Sequence, residues 1–239
     1  MYTIEIENLT VSYHGQVALH GVNLQIPKES ICGLVGMNGS GKSTLFKAIM
    51  GFVKPQTGRV LIDGMGVKRA QKLNLIAYMP QSEQVDWQFP VTVYDVVLMG
   101  RYAKMNLLRI PSKQDHAIVQ DSLRKVGISE LANRQIGELS GGQKKRTFMA
   151  RVLAQQSQIL LLDEPFAGVD ETTEKSLIEL LLELRQQGYT ILVATHNLES
   201  IATLCDRTVL INRTILAYGE TAAVFTKENL ARTFQVRMK

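Results

Sequence analysis

Hydrophobic and polar positions alternate with a period of two at the start of the chain. Thr3-Ile4-Glu5-Ile6-Glu7 puts its isoleucines on one side and its polar residues on the other, the pattern of a half-exposed strand. Val22-Asn23-Leu24-Gln25-Ile26 repeats it ahead of Pro27. The pattern then changes. Residues 30–35 form a nearly continuous apolar run that ends in a glycine-rich stretch, followed by a helix-like segment over 42–50. Two more short apolar runs, 158–163 and 189–195, predict buried strands. Between them 174–187 has helical periodicity and stops at Gly188, a residue suited to a left-handed C-cap. Residues 75–79 and 215–218 read as further strands, and 227–234 as a short terminal helix. Short apolar strands alternating with helices imply an α/β core whose parallel sheet is covered on both faces.

The stretch over 83–151 breaks this alternation and reads as helical throughout. Thr92-Val93-Tyr94-Asp95 and Ser112-Lys113-Gln114-Asp115 each have the form of a capping box opening a helix. The expected organisation is therefore a single domain over 1–239, with 1–82 and 152–239 forming a β subdomain and an α/β core, and 83–151 an inserted helical subdomain.

Composition adds limits. The 239 residues are 45% hydrophobic and 21% charged, an ordinary globular balance with enough chain for a buried core. No apolar stretch approaches the roughly 20 residues that span a bilayer, and the first residues lack the pattern of a secretory signal. The net charge of +5 is mild and suits either an anionic ligand or an ordinary solvated surface, and no basic block is long enough to read as a nucleic-acid tail. Two distant cysteines, Cys32 and Cys205, read as buried small hydrophobes of a reducing compartment, not as a disulfide or metal site.

Three motifs carry chemistry. Gly36-Met37-Asn38-Gly39-Ser40-Gly41-Lys42-Ser43-Thr44 fits a phosphate-binding P-loop between a strand and a helix. Its glycines let the main chain turn tightly and aim N–H groups at phosphate oxygens, the helix N-terminus adds its positive dipole, Lys42 reaches the β- and γ-phosphates, and Ser43 is placed for Mg2+. Ile159-Leu160-Leu161-Leu162-Asp163-Glu164 delivers two carboxylates at the end of a buried strand, the edge where parallel sheets bind ligands. Asp163 is the candidate to hold Mg2+, directly or through water, and Glu164 the candidate to polarise an attacking water. Leu139-Ser140-Gly141-Gly142-Gln143 opens a second helix with a second anion-binding N-terminus. One subunit does not need two phosphate cradles for one nucleotide; the second makes sense if it covers the phosphate bound by another copy.

Ser140, Gly141, Gly142 and Gln143, with the landmarks around them, resemble the ATP-binding cassette (ABC) family along essentially the whole chain. The resemblance implies ATP and Mg2+ as ligands, ATP hydrolysis, and a homodimer in the ATP-bound state. It assigns Tyr13 to adenine stacking, Gln81 to Mg2+ contact and to linking the core with the helical subdomain, Asp170 to a loop crossing the dimer interface, and His196, closing the strand 191–195, to the switch histidine. His14, His20 and His116 match nothing.

The stretch from Pro80-Gln81-Ser82 through Trp87-Gln88-Phe89-Pro90 to Met99-Gly100-Arg101-Tyr102 is similar to the ATPases of manganese, zinc and iron importers. That similarity implies a subunit on the cytoplasmic face of the membrane, bound to separate membrane permease subunits and served by an extracytoplasmic metal-binding protein, with manganese in first place and no nucleic-acid partner. The competing class is a soluble ABC-type ATPase acting on nucleic acid or ribosomes; such relatives carry paired cassettes, long coiled-coil insertions or zinc-binding cysteines, which this chain lacks. Trp87 and Phe89, with two tyrosines nearby, suit either a docking site for the membrane subunit or packing within the helical subdomain. The tail after 215–218 is too short for a regulatory domain.

Overall fold

The computed structural model describes residues 2–81, 89–106 and 108–234. Trp87 and most of the segment expected to dock a partner therefore lie outside the described residues. In chain order the strands are β1 (Tyr2–Tyr13), β2 (Gln16–Pro27), β3 (Ile31–Val35), β4 (Thr57–Ile62), β5 (Met65–Gly66), β6 (Ile76–Met79), β7 (Ile159–Asp163), β8 (Thr190–Ala194), β9 (Arg207–Asn212) and β10 (Thr214–Glu220). The helices are α1 (Lys42–Ile49), α2 (Val67–Lys72), α3 (Val93–Met99), α4 (Lys113–Lys125), α5 (Gly141–Ala154), α6 (Glu171–Gln186), α7 (Leu198–Leu204), α8 (Thr221–Val224) and α9 (Lys227–Phe234).

The early alternating segments form an antiparallel sheet in the order β2-β1-β4-β5. The apolar runs form a six-stranded sheet in the order β10-β9-β3-β8-β7-β6. β9, β3, β8, β7 and β6 run parallel, and β10 is antiparallel. The sheet is thus mixed where a parallel one was expected. Only Arg213, in the left-handed region at φ 59°, separates β9 from β10, and so short a connection can join only antiparallel strands.

The core strands sort their side chains by period two onto opposite faces. Ile31 and Val35 of β3, Leu160 and Leu162 of β7, and Ile191 and Val193 of β8 pack with buried residues of α3, α4, α5 and α6. Their neighbours Cys32, Leu34, Ile159, Leu161, Leu192 and Ala194 pack on α1 and the antiparallel sheet. Both faces of the central sheet are covered, as continuous apolar strands require.

Between β6 and β7 every regular element among the described residues is helical. Both expected capping boxes form. The Thr92 and Ser112 side chains accept from the main-chain N–H of Asp95 and Asp115, whose carboxylates accept in return. Arg101, beyond α3, crosses the layer: its Nε donates to Asp115 Oδ1 at 2.9 Å and its Nη1 to the Ala154 carbonyl at 2.8 Å. α6 begins three residues earlier than the periodicity indicated, because Asp170 caps it by accepting from Thr173 N at 2.9 Å. Gly188, at φ 90°, ends the approach to β8 as expected.

Candidate functional site

The strand ends β3 and β7 and the N-terminus of α1 meet at one edge of the central sheet. The loop over 36–44 leaves β3 and enters α1, and its curvature depends on glycine. Gly41 sits at φ 101°, and a Cβ there would lie 2.5 Å from Leu19 Cδ2. A Cβ on Gly36 would lie 2.3 Å from the Ile211 carbonyl oxygen. The loop is also pinned from outside, since Arg213 N donates to the Ser40 carbonyl at 2.7 Å.

Lys42, the first residue of α1, folds its ammonium back onto the loop, donating to the carbonyls of Gly36 at 2.7 Å and Met37 at 3.1 Å. Burial lowers its pKa, and the carboxylates of Glu164 and Asp163 partly offset that. Ser43 Oγ donates to Asp163 Oδ2 at 2.8 Å, joining α1 to the end of β7. Burial raises the Asp163 pKa, against the Ser43 hydrogen bond that lowers it.

Glu164 is buried, 5% exposed, and takes a left-handed backbone at φ 51°. Its N–H donates to the Ala194 carbonyl of β8 at 2.7 Å, which fixes the turn out of β7. A non-glycine residue in this region is uncommon, and such residues cluster at functional sites. The Glu164 side chain pairs with His196, just past β8: Nδ1 and Oε2 are 3.0 Å apart, and the imidazole is 74% exposed. The tie joins the ends of two neighbouring strands.

Asn38, Gly39, Gly41, Lys42, Ser43, Thr44, Gln81, Asp163 and Glu164 line one cleft of about 330 Å³, together with Ala18 of β2. Nine of the sequence-chosen residues thus converge. Gly36 and Met37 supply the carbonyls that hold Lys42. Ser40 contributes an Oγ that is buried with no hydrogen-bond partner. Tyr13, exposed at the end of β1 opposite Gln16, is not among the side chains lining the cleft. Ala18 was missed, because an alanine in an alternating strand carries no chemical signal.

Ser140, Gly141, Gly142 and Gln143 lie elsewhere. They open α5 through a capping box: Ser140 Oγ accepts from Gln143 N at 3.3 Å, and Gln143 Oε1 accepts from Ser140 N at 2.9 Å. None of them lines the cleft of their own chain. A Cβ on Gly142 would come within 3.5 Å of the Gly168 carbonyl oxygen, so this helix start adjoins the loop that leads to Asp170. Asp170 caps α6, and hydrogen bonds from Thr173 lower its pKa.

A family model described as ABC transporter matches residues 19–167, which hold the P-loop, the Ser140 helix start and the Asp163–Glu164 pair. The chain belongs to the ABC transporter family.

Within that family it is an ATP-binding subunit. It is 57% identical over 232 residues to the manganese transport system ATP-binding protein MntA of Synechocystis, covering 97% of this chain and 89% of that protein. It is 56% identical over 230 residues to the chelated iron transport system membrane protein YfeB of Yersinia pestis, covering 96% and 78%. The fold superposes on MJ1267, an ATP-binding cassette of an ABC transporter, with a TM-score of 0.85 at 28% identity over 98% of both chains.

Proposed function

We propose that this ABC ATPase energises the import of a divalent metal, manganese in first place, as a peripheral subunit at the cytoplasmic face of the membrane. The observation that carries the motor reading is the convergence at one cleft of Lys42, Ser43, Asp163 and Glu164, with His196 on Glu164. The cargo reading is supported by identity of more than half the residues, over nearly the whole chain, to a manganese transport ATP-binding protein. A chelated-iron relative matches almost as well, so iron and zinc are the next cargoes to try.

ATP is the substrate of the cleft. The Lys42 ammonium, resting on two main-chain carbonyls, exchanges them for phosphate oxygens, and the unpartnered Ser40 hydroxyl gains a partner. Mg2+ fits the donor set: Ser43 Oγ and the Asp163 carboxylate are adjacent hard oxygens, and Gln81 lines the same wall. When bound it neutralises charge on the phosphates. The Glu164 carboxylate accepts a proton from the attacking water while the water oxygen bonds to the γ-phosphorus and the bond to ADP breaks. His196, on Glu164 Oε2, holds that carboxylate in place.

Two copies pair so that Ser140, Gly141, Gly142 and Gln143 of one cover the γ-phosphate held by Lys42 of the other, with Asp170 and its loop at the seam. ATP closes this dimer because it binds the closed form better, and hydrolysis reopens it. The stroke passes to separate membrane permease subunits, which an extracytoplasmic metal-binding protein loads. In a strain lacking this gene, uptake of radiolabelled Mn2+ should fall and return with the wild-type gene but not with Lys42→Ala. Unchanged Mn2+ uptake with lost Zn2+ or iron uptake would reassign the cargo; unchanged uptake of all three would sink the importer reading.

A further inference from the structure

We infer that Lys145 is a positioning residue that locks the helix carrying Ser140 and Gln143 to the wall of the nucleotide cleft in its own subunit. Its Nζ donates to the main-chain carbonyl of Gln81 at 2.8 Å, across 64 positions of sequence. Gln81 follows β6 by two residues, and it lines the phosphate cleft beside Asp163 and Glu164. Lys145 lies one turn into α5, past a helix start that lines no part of that cleft. The bond therefore ties the element that contacts a subunit's own nucleotide to the element this chain presents to a second copy. The inference rests on the dimeric ATPase reading given above.

Three further observations make this tie specific. Lys145 is only half-exposed, and its charge is close enough to Asp163 to act on that carboxylate. The next residue, Arg146, donates from Nη1 to the Gly127 carbonyl at 3.1 Å, holding the same turn of α5 to the end of α4. One turn earlier, Gly142 adjoins Gly168. The start of α5 is thus held on separate sides, and Lys145 supplies the hold toward the cleft. Charged donors to main-chain carbonyls form the stronger class of hydrogen bond. Without this one, the Gln81 wall loses a charged tie to the turn of α5 that follows Ser140, and the cleft and the helix start are held less firmly in register. Nucleotide still binds to Lys42 and the P-loop, while assembly of the two-copy site slows.

The test uses the full chain. Lys145→Ala should lower kcat for MgATP hydrolysis about tenfold, with KM and the affinity for a fluorescent ATP analogue within about twofold of wild type. Lys145→Arg, which keeps the charge and a donor of similar reach, should recover most of kcat. Lys145→Met, which keeps the stem alone, should behave as Lys145→Ala. In both defective variants amide hydrogen exchange should quicken in the peptide ending at Gln81. Unchanged kcat in Lys145→Ala, a parallel fall in ATP affinity, failure of Lys145→Arg to recover activity, or unchanged exchange at Gln81 would each overturn the role. A wild-type protein without ATP hydrolysis would instead overturn the ATPase reading, and the exchange measurement would still judge the tie.

Discussion

Glu164 Oε2 and His196 Nδ1 stand 3.0 Å apart, joining the first residue after β7 to the second residue after β8. Glu164 is buried in a strained backbone conformation and His196 is largely exposed, so the carboxylate is held from below by the turn and from above by the imidazole. Glu164→Gln keeps shape and most hydrogen bonding but removes the proton acceptor. It should retain ATP binding, lose about 100-fold or more in turnover, and accumulate an ATP-bound dimer on size exclusion. His196→Ala should be milder, because it removes a support and leaves the acceptor in place. Near wild-type phosphate release by Glu164→Gln would end the role given to that residue.

Much of the cleft was legible because its makers are chemically unusual. Glycines at fixed spacing before a lysine, two carboxylates after four apolar residues, and a serine with two glycines at a helix start all carry information in residue type alone. β3, β7 and β8 were legible as apolar runs. β4, β5 and α2 went unmarked because they are short and at least half of their positions are not buried, so their composition does not separate them from loops. The left-handed turn at Glu164 and the Lys145–Gln81 tie were also invisible: neither glutamate nor lysine signals its backbone angle or its partner. Arg101 is a buried charge, a residue type that sequence alone places on the surface by default.

That buried charge sets a second expectation. Arg101 and Asp115 form an ion pair with side chains only 5% and 9% exposed, and Arg101 also caps α5 at Ala154. Removing one partner strands the other. Arg101→Met should destabilise the protein by about 3 kcal/mol, lowering Tm by roughly 10 °C, with the Asp115→Asn, Arg101→Met double variant losing less than the sum of the singles. Hydrogen bonds from Ser112, and then the Arg101 guanidinium, depress the Asp115 carboxyl from an ordinary 3.8 to about 2. Its contribution to stability is therefore complete above pH ~4 and is lost as pH falls toward 2. Thermal unfolding followed from pH 5 downward should show a wild-type loss that Asp115→Asn lacks.

The two cysteines should be inert in the native protein. Burial pushes the Cys32 thiol well above its ordinary range and the Cys205 thiol up to about 12, so little thiolate forms at neutral pH. Iodoacetamide at pH 8 should label neither on the timescale that labels a free thiol, and should label both in guanidinium. Rapid single-site labelling of native protein, read by mass spectrometry, would contradict the packing around β3 and α7.

Two P-loop glycines have left-handed backbones for different reasons, and alanine should separate them. Gly39 sits at φ 78° with nothing within 4 Å of an added Cβ, so Gly39→Ala meets backbone strain alone, about 1–2 kcal/mol. Gly41 combines φ 101° with an added Cβ 2.5 Å from Leu19 Cδ2 and 2.9 Å from the Ala18 carbonyl oxygen. The second contact is main chain in β2, which cannot yield as a side-chain end can. Gly41→Ala must therefore shift either β2 or the start of α1, where Lys42 and Ser43 are held. It should cost at least twice the stability that Gly39→Ala loses, and should weaken nucleotide binding far more. Urea unfolding and ATP-analogue titration on both variants would check this; a Gly41→Ala protein more stable than Gly39→Ala would show that close approach to β2 is not what demands glycine there.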